Sequence, residues 1–195
     1  MAESNSSKEI IIKRNLKSWL EILIVVLLTI IFYQILAFTG FLQFFDEGGM
    51  VSFAIIPLLY LAFKYAPLKG CIAGLIFGIS IVFVIDSSNS WYANILYYGL
   101  GYSIIGIAGA FRHAFRGNQK EALLGIIVTV SLSFLVRCLI AIMLFARTGI
   151  PEDQSVWFYW VVSYHLPIAL TSMAITMIIV LSLYKKLTVI INKDF

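Results

Sequence analysis

Long apolar segments are the feature that most constrains this chain. Six can be distinguished, at about 16–39, 50–65, 69–86, 91–111, 122–146 and 157–184. A helix of about 20 predominantly apolar residues crosses a bilayer core roughly 30 Å thick, and helices satisfy their backbone polar groups internally there. The pattern therefore predicts an all-α integral membrane protein, a bundle of six transmembrane helices. The second segment is short, so we expect it to be partial or to continue into the neighbouring loop.

The composition leaves little room for anything beside this bundle. Of the 195 residues, 61% are hydrophobic and only 12% are charged, which is far from the balance of a soluble domain. We expect residues 1–195 to form a single membrane domain, whose first apolar segment is retained rather than cleaved as a signal peptide. Cys71 and Cys138 lie inside predicted segments and are expected to be packing residues rather than a disulfide.

The basic residues predict an orientation. Of the 14 Lys and Arg residues, Arg137 lies inside a segment and Arg147 is the only one on the side that the loops after the first, third and fifth segments share. The others lie before the first segment, between the second and third, between the fourth and fifth, and after the sixth: Lys8, Lys13, Arg14, Lys17, Lys64, Lys69, Arg112, Arg116, Lys120, Lys185, Lys186 and Lys193. Since Lys and Arg near span ends stay in the cytoplasm, both termini are predicted to be cytoplasmic, in a multi-pass protein of the cell membrane. No basic aromatic stripe suggests a nucleic-acid partner.

Glycines recur in the third and fourth segments. They are Gly70, Gly74 and Gly78 in the third, and Gly99, Gly101, Gly106 and Gly109 in the fourth. Ridges of small residues let helix backbones approach closely in lipid. Two interpretations follow, packing within the bundle or a docking surface for a partner membrane protein.

The sequence contains no recognisable catalytic or nucleotide-binding motif. A Walker A loop, an HExxH motif, a nucleophile elbow and clustered Cys/His spacing are all missing from it. We therefore expect no enzyme activity, no cofactor and no metal site. Energy for active transport would have to come from an ion gradient or from another subunit.

Arg137 is the most informative polar residue, because it lies within the apolar fifth segment. A charge deep in a bilayer costs from about 3 to over 10 kcal/mol, so this side chain should point into the bundle or a water-filled cavity. At about 1.5 Å per residue it lies about 13 Å below the outer end of its segment. Polar and aromatic residues of the fourth and sixth segments reach the same layer, which predicts a pocket open to the outside. Its candidate binding residues are Glu47, Asn94, Tyr97, Tyr98, Arg137, Trp157, Tyr159, Tyr164 and His165.

Each candidate also has a purely structural interpretation. Trp157 and Tyr159 are equally typical of membrane-interface anchors, and His165 of helix packing. Arg137 would brace the fold if it paired with a loop carboxylate such as Asp86 or Glu47. Tyr97 and Tyr98 are adjacent and cannot share one helical face, so at most one of them should face a pocket.

Three stretches together carry a family resemblance, within about residues 40–184. They are DEGGMVSFAIIPLLYLAFKYAPLKGCIAGLIFG, YANILYYGLGYSIIGIAGAF, and RCLIAIMLFA followed by SVWFYWVVSYH. These resemble the substrate-binding subunit of an energy-coupling-factor vitamin transporter, most closely the thiamine-specific type. The resemblance implies six spans, cytoplasmic termini and a vitamin pocket near the outer face. It also implies docking on a transmembrane coupling subunit that carries two cytoplasmic ATPase subunits. Small residues on the first helix usually serve that docking, and EILIVVLLTIIFYQIL lacks such a stripe.

The matching pocket positions differ from the thiamine type. Tyr97 stands where the family has an acidic residue, and Arg137 where it has a histidine. Ala141 and Phe145 stand where glycine and tryptophan are usual. On the last helix Tyr159 matches the family tyrosine.

The expected asparagine of the last helix falls at or beside Tyr164. Thiamine is a cation, so an unpaired Arg137 in a dry pocket would repel it. The aromatic faces of Trp157, Tyr159 and Tyr164 would instead favour a cation.

We therefore predict a vitamin-uptake subunit for thiamine or a thiamine-related compound. Tyr97, Tyr159 and Tyr164 would stack on the ligand and hydrogen-bond to it, while Asp46 or Glu47 in the loop 41–49 closes over it. One alternative is a subunit for a different, anionic vitamin, with Arg137 as its counter-ion. The other is a ligandless membrane scaffold or assembly protein.

Overall fold

The computed structural model describes residues 2–38, 52–83, 91–116, 118–145 and 155–192, and the regular structure of this part is entirely helical. Helix α1 spans Ala2–Phe38, α2 spans Ile55–Tyr65 and α3 spans Pro67–Val82. The fourth apolar segment of the sequence, called the fourth span below, comprises α4 (Trp91–Asn94), a π-helical segment (Ile95–Leu100), α5 (Gly101–Ser103) and a 3-10 segment (Ile104–Arg116). Helix α6 (Gln119–Ile140) continues as a π-helical segment (Ala141–Phe145), and α7 (Leu166–Asn192) follows another (Phe158–His165).

Four helical stretches are long and apolar enough to cross a membrane: Ile12–Phe38, Trp91–His113, Gln119–Leu144 and Phe158–Asn192. The prediction of an all-helical membrane protein is therefore confirmed. The 11 residues of α2 measure only about 16 Å, roughly half the bilayer core. The count of six spans and the cytoplasmic side of both termini stay predictions.

A tight turn joins α2 to α3. Ala66 adopts φ 75° and ψ 169°, a region that strongly favours glycine, and its N–H donates to the carbonyl of Ala62 at 3.0 Å. Pro67 then begins α3 in the position where a helix tolerates proline best. A Cβ on Gly109 would lie 2.6 Å from the carbonyl carbon of Ala66, so this glycine lets the 3-10 segment lie directly against the turn.

The glycine ridge of α3 is used inside the bundle. Gly70, Gly74 and Gly78 are all buried. A Cβ on Gly70 would lie 2.9 Å from the Cα of Gly106, and one on Gly78 would lie 2.8 Å from the Cα of Gly99. At these approaches the glycines of α3 have no room for a Cβ, so α3 and the fourth span are in direct contact. The intramolecular interpretation of this ridge is confirmed, and the ridge is not free for a partner protein.

A partly buried ion pair connects α1 to α2. The carboxylate of Glu21 accepts hydrogen bonds from Lys64 at 2.6 Å, Tyr60 at 2.8 Å and Tyr65 at 2.5 Å. The Lys64 side chain is only 7% exposed, and this pairing compensates the cost of its burial. The two cysteines are free, as the sequence predicts.

Candidate functional site

A small cavity lies where the fourth span, α6 and α7 meet the beginning of α2. It measures about 50 Å³ and is lined by Ser52, Ile55, Tyr97, Val130, Ser133, Phe134, Arg137, His165, Ile168, Ala169 and Ser172. We call it the arginine cavity. The lining residues of α6 after Val130 follow it by three, four and seven positions, and those of α7 follow His165 by the same three spacings. This is the spacing of residues on one helical face, so one face of each helix borders the cavity.

Arg137 is half-buried in this cavity and is surrounded by aromatic rings. Its guanidinium carbon lies 4.1 Å from the ring centroid of Tyr102 and 5.7 Å from that of Tyr97, within the range of cation–π attraction. A Cβ on Gly101 would lie 2.9 Å from the Cγ of Arg137, so this glycine provides the room for the arginine. Within the described part of the chain, the buried Nε of Arg137 has no hydrogen-bond partner.

Hydroxyl groups connect the helices around the arginine. Ser133 donates a hydrogen bond to the carbonyl oxygen of Gly101 at 2.6 Å and so fixes α6 to the fourth span. The Ser52 hydroxyl and the Tyr102 hydroxyl are 2.8 Å apart, and the Ser52 N–H donates to the Ser172 hydroxyl at 3.1 Å. These bonds bring four separate parts of the chain to one polar layer.

Tyr97 and His165 share a hydrogen bond across the cavity wall. The Tyr97 hydroxyl lies 2.8 Å from Nε2 of His165, and both side chains are buried. The bond connects the fourth span to the beginning of α7. His165 is therefore held by a side chain, and not only by helix packing.

All three π-helical segments lie in or beside this layer. Tyr97 belongs to the first, the second begins four residues after Arg137, and His165 ends the third. Short π-helical stretches inside α-helices often occur at functional sites. The backbone is thus locally widened at the depth where the polar side chains converge.

The structure brings three of the predicted binding residues, Tyr97, Arg137 and His165, into the cavity lining. Tyr98 is half-buried and packs against both the main core and the cluster around Tyr97, but it does not line the cavity. Only one of the adjacent tyrosines faces the cavity, as their spacing predicts. Asn94 is 5% exposed and does not contribute to the lining.

The other predicted residues lie beside the cavity or beyond the described residues. Tyr159 and Tyr164 are half-buried, with stacked rings whose centroids are 6.3 Å apart. Trp157 is 58% exposed, as an interface anchor would be. Asp46, Glu47 and Asp86 lie outside the described residues. For Phe145 the backbone is described and the side chain is not.

Sequence reasoning missed the serines of the cavity. Ser133 precedes Arg137 by four residues and Ser172 follows His165 by seven, so helical spacing from those two residues would have found both. Ser52 has no comparable signal, because it lies before the first residue of α2. Its position depends on tertiary contacts alone.

The Tyr97–His165 bond gives a prediction. Tyr97→Phe should lower the free energy of unfolding by about 1 kcal/mol, because it leaves a buried imidazole nitrogen unpaired. In a protein of this size, that corresponds to a fall of about 2–4 °C in melting temperature, measured in detergent. The matched control is Tyr98→Phe, which removes the same hydroxyl from the adjacent residue and should leave the melting temperature unchanged. Equal shifts for the two variants would show that the bond contributes nothing.

A helical membrane bundle with a polar, aromatic cavity between its spans is typical of a protein that transports small molecules. The chain belongs to the thiamine transporter protein family (Thia_YuaJ), whose model matches residues 16–192. No curated protein matches the chain. The predicted resemblance to the thiamine-specific type is thus confirmed. The protein is a multi-pass transport protein of the cell membrane rather than an enzyme.

Proposed function

We propose that this protein is the substrate-binding subunit of an energy-coupling vitamin transporter, and that it binds thiamine or a thiamine-related compound at the arginine cavity. The observation that carries the proposal is the convergence of Tyr97, Arg137 and His165 on one cavity within a bundle of the thiamine transporter family. Ligand pockets of membrane bundles are built in this way, from a few convergent polar groups among apolar walls.

The roles of the individual residues follow from their positions. Tyr97 would contact the ligand directly, with Tyr159 and Tyr164 as a stacked aromatic wall beside it. Asn94, Tyr98 and Trp157 would support this wall from outside the present lining. Glu47 or Asp46 would close the entrance from the loop 41–49.

The size of the cavity implies that ligand binding requires movement. At about 50 Å³ it holds a few water molecules, whereas pockets for small organic ligands usually measure about 300–1,000 Å³. The layer must therefore open before a vitamin enters. The three π-helical segments are the natural places for that adjustment, because their backbone bonding is already irregular.

The transport cycle that we propose involves the whole chain and other subunits. The chain would form one domain of six spans with both termini in the cytoplasm. A transmembrane coupling subunit with two ATPase subunits would supply the energy, since the sequence contains no nucleotide-binding motif of its own. The ligand would bind from outside and be released inside after the subunit reorients.

One observation favours a second candidate, a vitamin with an anionic group. Arg137 contacts the rings of Tyr97 and Tyr102, and no ion pair joins it to a carboxylate among the described residues. A carboxylate or phosphate on the ligand would supply the acceptor that the guanidinium favours.

A thermal-shift screen of the purified protein against water-soluble vitamins tests the proposal. A ligand at 100 times its dissociation constant should stabilise the protein by about 2.7 kcal/mol. We expect a shift with thiamine or a related compound. A shift with anionic vitamins alone would favour the second candidate, and no shift with any vitamin would favour a scaffold or assembly role.

A further inference from the structure

A larger cavity lies at the opposite end of α2 from the arginine cavity. It measures about 440 Å³, and its described lining includes five cationic residues and one carboxylate: Arg14, Lys17, Lys64, Lys69, Arg112 and Glu21. We call it the basic cavity. It lies at the end of the bundle that the distribution of Lys and Arg predicts to be cytoplasmic.

The single carboxylate does not neutralise this cavity. Both oxygens of Glu21 are already engaged, one by Lys64 and Tyr60 and the other by Tyr65. The charge of Glu21 thus balances Lys64, and the described lining offers no second carboxylate to Lys17 and Lys69.

Lys69 is held in place by neutral groups. Its ammonium donates to the Asn15 side-chain oxygen at 2.9 Å and to the Ser18 hydroxyl at 2.5 Å. It also lies 5.5 Å from the ring centroid of Trp19 and 5.6 Å from that of Tyr65. These contacts orient the ammonium without cancelling its charge, so the site is prepared for an anion.

We propose that the basic cavity binds a phosphate group, supplied by the headgroup of an anionic phospholipid such as phosphatidylglycerol. Its volume of about 440 Å³ lies within the range of small-molecule sites. Basic pockets between transmembrane helices at the cytoplasmic side bind such headgroups by charge attraction.

The surface of α1 favours a lipid over a free phosphate. Lys17, at the wall of the cavity, is followed on the same helical face by Ile24, Leu28 and Ile35, at spacings of seven, four and seven residues. These three side chains are 55–59% exposed. An acyl chain can therefore lie along α1 while its headgroup occupies the cavity, and a soluble phosphate would make no use of this stripe.

Native mass spectrometry of the full-length protein in detergent tests this proposal. The protein is titrated with phosphatidylglycerol and with phosphatidylcholine of the same acyl chains. We expect phosphatidylglycerol to bind at least about tenfold more tightly. The variant Lys17→Gln/Lys69→Gln should weaken its binding by about ten- to thirtyfold, since each cation near an anionic lipid contributes about a factor of five.

The matched control is Lys185→Gln/Lys186→Gln, which removes two exposed cations from α7 and should leave lipid binding unchanged. If the Lys17→Gln/Lys69→Gln variant does not remain monodisperse, Lys17→Glu replaces it. This substitution changes only an exposed residue and should still weaken phosphatidylglycerol binding. Equal affinity for the two lipids, or equal loss in both double variants, would overturn the proposal.

A second experiment adds millimolar glycerol phosphate or inorganic phosphate to the protein with bound lipid. Complete displacement of the lipid would overturn the proposal that a lipid supplies the phosphate group. No vitamin is present, so this result does not depend on the function proposed for the arginine cavity.

Discussion

Replacing Gly106 with alanine should lower the free energy of unfolding by about 3 kcal/mol or more, because the added methyl group has no space. Its Cβ would lie 2.5 Å from the Cα of Cys71 and closer still to the backbone of Gly70. Backbone atoms cannot rotate away as a flexible side chain can, so α3 and the fourth span would have to separate. The readouts are the melting temperature and the monodisperse fraction after solubilisation in detergent.

Gly99→Ala is the matched control for this variant. It is the same substitution in the same span, but the new Cβ would meet only the side chains of Leu75 at 3.4 Å and Ile79 at 3.7 Å. These are ordinary contacts, and alanine is the better helix former by up to about 1 kcal/mol. The control should therefore be neutral or slightly stabilising. If Gly106→Ala were as stable as Gly99→Ala, the close contact between the two helices would be refuted.

Replacing Arg137 with glutamine should change the affinity for the transported vitamin by about tenfold or more. A hydrogen bond to a charged group contributes about 1.5–3 kcal/mol, and about 1.4 kcal/mol corresponds to a factor of ten. Whether the affinity falls or rises indicates the charge of the ligand. An anionic vitamin should bind more weakly without Arg137, and a cation such as thiamine should bind more tightly once the repulsion is removed.

Titration calorimetry with the ligand identified in the vitamin screen measures this change. Lys120→Gln is the control, since it removes an exposed cation from the first turn of the same helix and should not alter the affinity. An Arg137→Gln protein that folds and binds every vitamin as before would exclude Arg137 from the binding site and leave it a structural role.

We propose different roles for the charged residues of the two cavities. Around Arg137, aromatic rings and serine hydroxyls surround one cation, an arrangement suited to selecting one ligand. In the basic cavity several cations line a larger space. This arrangement suits a phosphate group and selects little for the shape of the molecule that carries it.

Much of the fold could be predicted from the sequence. The long apolar segments required helices, because only a helix satisfies the backbone of a membrane segment internally. Counting residues from the outer end of each segment predicted that Tyr97, Arg137 and His165 lie in one layer, because the rise per residue of a helix is constant. The beginning of α2 was less accessible. The predicted apolar segment begins at about residue 50, whereas the helix begins at Ile55, because an apolar run does not by itself show where a helix begins.

The sequence by itself determined that this chain is a helical membrane protein, that Arg137 must avoid lipid, and that at most one of Tyr97 and Tyr98 can face the cavity. These follow from solvation and from helical geometry, which are local properties. Only the tertiary structure decided which residues meet across helices. It paired Tyr97 with His165, placed Gly101 beneath Arg137, and gathered cations from α1, α3 and the fourth span around one cavity. Such contacts depend on how the helices rotate and approach one another, and steric fit between distant segments sets that geometry.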